Sequence, residues 1–119
     1  MEVNSMSEQI EQERIDFERQ RNQLMQLSSQ KQQLQFQDKV LKEALDELSK
    51  TKEEKVYKAV GNIMLLAPTT EVKKDLEKEL EALDLRIKTV QKQEDISVDK
   101  MNKLKNKLEG KDKKKEEEK

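Results

Sequence analysis

The sequence predicts a mostly α-helical fold: an antiparallel two-helix coiled coil with a single β-hairpin at the helix connection. Three observations lead there. Apolar residues recur at alternating steps of three and four along two long stretches, which is the seam of a coiled coil. Between the stretches, Val56-Tyr57-Lys58-Ala59-Val60-Gly61-Asn62-Ile63-Met64-Leu65-Leu66-Ala67 breaks the pattern with β-branched and aromatic residues around a turn dipeptide. Finally, 119 residues with 32% hydrophobic, 43% charged and 3% aromatic content hold too little apolar material to wrap a compact core.

The first seam runs through Ile10, Glu13, Phe17, Gln20, Leu24, Leu27, Lys31, Leu34, Asp38, Leu41, Leu45 and Leu48. With Leu24 at heptad position a and Leu27 at d, Lys31 and Asp38 interrupt two a positions and Glu13 and Gln20 two d positions. Polar seam residues cost stability but set register and partner choice. Whether these four act so, or are tolerated in a partly wet seam, stays open. The second seam runs through Leu76, Leu80, Leu83, Ile87, Val90, Glu94, Ser97, Met101, Leu104 and Leu108. Arms of about residues 7–52 and 70–109 would each be on the order of 60 to 70 Å long at about 1.5 Å rise per residue. Matched arms on a short connection pair antiparallel within one chain. Met25, Phe36 and Val40 lie off the seam; Phe36 and Val40, one turn apart, form either a second small patch or two separate exposed residues.

Between the arms, Gly61-Asn62 is the expected turn, because glycine takes the positive φ that the first central residue of a type II′ turn requires. That register pairs Val60 with Ile63 and Tyr57 with Leu66. It puts Val56, Val60, Ile63, Leu65 and Ala67 on one face with Lys58, and Tyr57, Ala59, Met64 and Leu66 on the other. A short apolar stretch of helix is the alternative, and Gly61-Asn62 followed by Pro68 argues against it. Pro68 closes the second strand, and Thr69 or Thr70 can cap the next helix, with Glu71 and Asp75 near its positive end. A lone hairpin, apolar on both faces with open edges, is marginal in water and has to find strands from other chains. One domain over residues 1–109, its hairpin at about 56–67, and a disordered charged tail over residues 110–119 complete the expected layout.

Composition narrows function. Lys plus Arg (25) and Asp plus Glu (26) nearly cancel, so no net field favours nucleic acid or an anionic membrane. There is no cysteine and no histidine, which removes thiolate chemistry, the commonest general base and the commonest metal ligand. No enzyme activity, cofactor or metal is expected. Without an apolar run of transmembrane length, and with a polar, acidic start from Met1 to Ile10, the expectation is a soluble cytoplasmic protein.

Two motifs are more specific than heptads: Val56-Tyr57-Lys58-Ala59-Val60-Gly61-Asn62-Ile63, and the run Leu80-Glu81-Ala82-Leu83-Asp84-Leu85-Arg86-Ile87-Lys88-Thr89-Val90-Gln91-Lys92-Gln93-Glu94. At this spacing, over Ile10 to Leu108, the chain resembles the beta-type subunits of the prefoldin family, in an archaeal-like form. Alpha-type subunits carry two hairpins, and here there is one. The resemblance implies an ATP-independent co-chaperone. Two alpha-type and four beta-type subunits would join their hairpins into a β-barrel platform, hold unfolded proteins at coiled-coil tips and deliver them to a group II chaperonin.

It also implies site residues. Val56, Tyr57, Val60, Gly61, Asn62, Ile63, Leu65 and Leu66 form the assembly hairpin. Val3, Met6 and Ile10 at one tip and Met101, Leu104 and Leu108 at the other are candidates for client binding, or else close the last coil layers. Lys100, Lys103, Lys105 and Lys107 form a basic cluster that is either a chaperonin contact or a solvated helix face. One segment departs from the family pattern: Ile96-Ser97-Val98-Asp99, with Glu94, weakens the second seam. A structural scaffold or spacer joined through its hairpin is the other function class in play.

Overall fold

The computed structural model describes the backbone of residues 2–117 and the side chains of residues 6–110. The order of elements is α1 (Glu2–Lys50), β1 (Lys55–Val60), β2 (Ile63–Pro68) and α2 (Thr69–Glu117). The chain divides into two compact units, Lys31–Thr89 on the one hand and Met1–Gln30 with Val90–Lys119 on the other.

Within Lys31–Thr89, the predicted seam is the packed face. Leu34 and Leu83 are buried, Leu41, Leu45, Leu48, Leu76, Leu80 and Ile87 are half-buried, and Val72 extends the stripe into the first turn of α2. The last helical bond of α1 runs from the Thr51 amide to the Glu47 carbonyl at 3.1 Å, and the Glu53 amide then donates to Thr51 Oγ1. Here the side chain of Thr51 satisfies the backbone as the helix ends.

The hairpin follows in the predicted register. Val60 pairs with Ile63, Ala59 with Met64, Lys58 with Leu65, Tyr57 with Leu66 and Val56 with Ala67. Gly61 sits at φ 60°, and among the described residues none other than glycine has a positive φ, which is the pattern of a type II′ turn. The hairpin base is clamped by Thr69, which is itself buried: its amide donates to the Glu54 carbonyl at 2.9 Å and its hydroxyl to the Glu53 carbonyl at 2.7 Å. The Thr69 hydroxyl thus ties strand entry to helix entry, where the sequence suggests a cap.

In the other unit, Met1–Gln30 with Val90–Lys119, Ile10 and Val90 are buried and Phe17, Leu24, Leu27, Met101, Leu104 and Leu108 are half-buried. The polar contacts show the antiparallel sense: Gln20 of α1 meets Ser97 of α2, and Ser28, further along α1, meets Glu94, further back on α2. Among the described residues no side chain is fully buried, because a two-helix layer always has water along both rims of its seam.

Two boundaries differ from expectation. α1 begins at Glu2, before the predicted position 7, and α2 continues to Glu117, so the charged tail is helical as far as Glu117 where disorder was expected. Lys and Glu are good helix formers, and a single glycine at position 110 costs about 1 kcal/mol, too little to end a helix with momentum behind it.

Candidate functional site

The hairpin is where the fold leaves apolar surface without an internal partner. Tyr57, Ile63 and Met64 are each more than 60% exposed, and Val60, Leu65 and Leu66 are at least half exposed. The period-two geometry of the strands spreads these residues over both faces, so neither face is covered by the chain itself. Only Val56 and Ala67, next to the base, are half-buried. Lys58, the charged member of one face, is 3.4 Å from Asp75 of α2, a partly exposed ion pair that contributes little to stability. With two strands in the sheet, each strand also carries one unpaired edge of amide and carbonyl groups. Apolar faces and open edges together make the hairpin the candidate assembly surface.

Comparison with known proteins agrees with this geometry. The family model described as "Prefoldin subunit" matches residues 7–115. The chain belongs to the prefoldin family. The prefoldin subunit beta of Methanothrix thermoacetophila is 32% identical over 101 residues, 84% of either chain, and that of Methanospirillum hungatei is 33% identical over 95 residues, 78% of this chain and 79% of that one. The crystal structure of the prefoldin beta subunit from Thermococcus strain KS-1 superimposes with a TM-score of 0.81 at 25% identity, covering 86% of this chain and 90% of that chain. As in a beta-type prefoldin, two long helices here flank one two-stranded hairpin.

The other residues singled out in the sequence fall into distinct settings. Ile10 is buried and Met6, Met101, Leu104 and Leu108 are half-buried, so the last four continue the seam with one side open to solvent; the side chain of Val3 lies outside the described residues. Lys100, Lys103 and Lys107 line an open groove of about 390 Å³ that also takes in Asp16 and Arg19, whereas Lys105 is exposed away from it. Met25, Phe36 and Val40 are exposed, and so are Ile15, Leu85, Ile96 and Val98, whose exposure the heptad pattern foretells because they occupy non-seam positions. Among the described residues no helix is long and apolar enough to cross a membrane.

One electrostatic arrangement escaped the sequence reading. Asp38, buried in the seam of Lys31–Thr89, accepts from Lys42 at 2.7 Å and faces the Asp84 carboxyl on α2. Hydrogen bonds from Asp84 and then from Lys42 hold the Asp38 carboxyl below the usual carboxylate range. Asp84 is pushed up by that same hydrogen bond, by burial and by the charge of Asp38. The two carboxyls are therefore driven apart in their titration, Asp38 downward and Asp84 upward. Since Asp84 lies off the seam, only the register between helices reveals the pair.

Proposed function

We propose that this chain is a subunit of an ATP-independent cytoplasmic chaperone, which holds unfolded proteins and passes them to a group II chaperonin. It has no catalytic role. Its partners are alpha-type prefoldin subunits, two for every four copies of this chain, with the hairpins merging into a β-barrel platform. The observation that carries the reading is the hairpin, apolar on both faces and open at both edges, in a chain of the prefoldin family. Assembly of several subunits then presents several coil ends to one client, and multivalency turns weak apolar contacts into retention.

The client-holding groups in this reading are Val3, Met6 and Ile10 with Met101, Leu104 and Leu108. Methionine suits the task because an unbranched thioether adapts to many apolar partners. Lys100, Lys103, Lys105 and Lys107 are the proposed chaperonin contacts.

The test is suppression of light scattering when a denatured client is diluted into stoichiometric assembly. Replacing Met6, Ile10, Leu104 and Leu108 with Ser removes apolar area worth about 25 cal/mol per Å² from every copy, so suppression falls sharply while the assembly stays folded. Full suppression by the folded variant places the grip elsewhere on the molecule. No suppression by the unaltered assembly favours a scaffold joined through its hairpins.

A further inference from the structure

Where Gln20 and Ser97 meet, the seam of Met1–Gln30 with Val90–Lys119 holds a hydroxyl where a branched aliphatic side chain would fill the layer. Ser97 is 4% exposed, and its hydroxyl donates to the Gln20 backbone carbonyl at 3.4 Å and to Gln20 Oε1 at 3.3 Å. The volume that Ser97 does not fill opens as a groove of about 250 Å³ on the flank of the coil, lined by Gln20, Gln23, Leu27, Gln93, Ile96 and Ser97, with Lys100 as its one charged member. Ile96 is 56% exposed at its rim, and Leu27 is half-buried in its wall.

We infer that this flank groove binds the extended backbone of an unfolded polypeptide. The proposal rests on the holdase reading and adds to it a second grip with different chemistry. Three glutamines converge there, and each carries a carboxamide with an acceptor oxygen and donor N–H groups, the same pairing that a peptide unit presents. The Ser97 hydroxyl engages the Gln20 amide oxygen, so Gln20 faces a ligand with its N–H donors, and the exposed side chains of Gln23 and Gln93 supply both functions. Ile96 and Leu27 provide the apolar wall for one client side chain. Such a site reads main chain and not sequence, because every residue of any client except proline offers the same amide and carbonyl. A folded protein, whose main-chain groups are already paired, does not qualify.

The test uses the full assembly and two short fluorescent peptides of alternating leucine and serine, one of them N-methylated on the backbone. N-methylation removes amide donors and keeps every side chain, so apolar contacts at the coil ends are indifferent to it. The unmodified peptide should bind about tenfold more tightly, the effect of one to two net hydrogen bonds. Gln23→Met with Gln93→Met, which keeps length and apolar contact but removes both carboxamides, should erase that preference. Ser97→Leu, which fills the groove from its floor, should lose the peptide while raising the melting temperature. If the unaltered assembly suppresses client aggregation yet binds both peptides equally, or if both variants keep the preference, the groove proposal is overturned and the holdase reading stands. If the unaltered assembly neither suppresses aggregation nor binds either peptide, both are overturned.

Discussion

The seam and the hairpin are built from the same kinds of side chain, yet the chain treats them in opposite ways. Leu34, Leu83, Val90 and Ile10 are covered by the chain's own partner helix and are at most 6% exposed. Ile63, Met64 and Leu66 project from a two-stranded sheet and are all more than 55% exposed. A coiled coil needs only one complementary stripe, which α2 supplies to α1 through a short connection. A sheet needs neighbours along both edges and layers against both faces, and one hairpin supplies neither. The contrast predicts a division of labour, in which the seam stabilises the subunit and the hairpin offers the surface for assembly.

That contrast can be broken from the seam side. Leu34→Ala or Leu83→Ala removes a buried side chain from its layer and should cost about 2 to 3 kcal/mol, the lower part of the range for core leucines because the seam has wet rims. Thermal melts of the assembled protein should show the loss, and its sedimenting mass below the melt should not change. Dissociation without loss of helix stability would mean that the seam contributes to joining subunits.

A smaller effect sharpens the picture of the seam's interior. The folded-state pKa of Asp84 is raised, so its contribution is fully present below the ordinary aspartate pKa and is lost as pH rises through the raised value. Asp38 is lowered, so its contribution is present above the ordinary value and is lost as pH falls through the lowered one. Above the raised Asp84 value both carboxyls are charged, and the like charges oppose each other beside Lys42. Asp84→Asn keeps a donor for Asp38 without the second charge. It should raise the melting temperature modestly at pH 7 and flatten its change as pH rises above the ordinary aspartate range. An unchanged melting profile would show that the two carboxyls do not communicate.

The two seams were legible residue by residue, because a three-four spacing needs no knowledge of the partner: all predicted positions from Ile10 to Leu48 and from Leu76 to Leu108 are buried or half-buried. The hairpin register was equally legible, since only glycine suits the position that Gly61 occupies and Pro68 cannot extend a ladder. What stayed hidden depends on which residue of α1 lies opposite which of α2. The Asp38–Asp84 pair, the Thr69 clamp on Glu53 and the contact of Ser97 with Gln20 are separated by 46, 16 and 77 positions, and a one-turn shift of register would dissolve the first and last. The extent of α2 to Glu117 was missed for another reason: a lysine and glutamate run reads as disorder by charge and as helix by propensity.

The central claim is that the hairpin, and not the seam, joins subunits. Val60→Asp with Ile63→Asp places two carboxylates on the face these residues share beside the turn, at a cost on the order of several kcal/mol in an assembled barrel. Analytical ultracentrifugation of this variant mixed with an alpha-type partner is the direct measurement, read beside its far-ultraviolet circular dichroism. The expected result is loss of the assembled species with helical content retained. An assembly of unchanged mass would contradict the account.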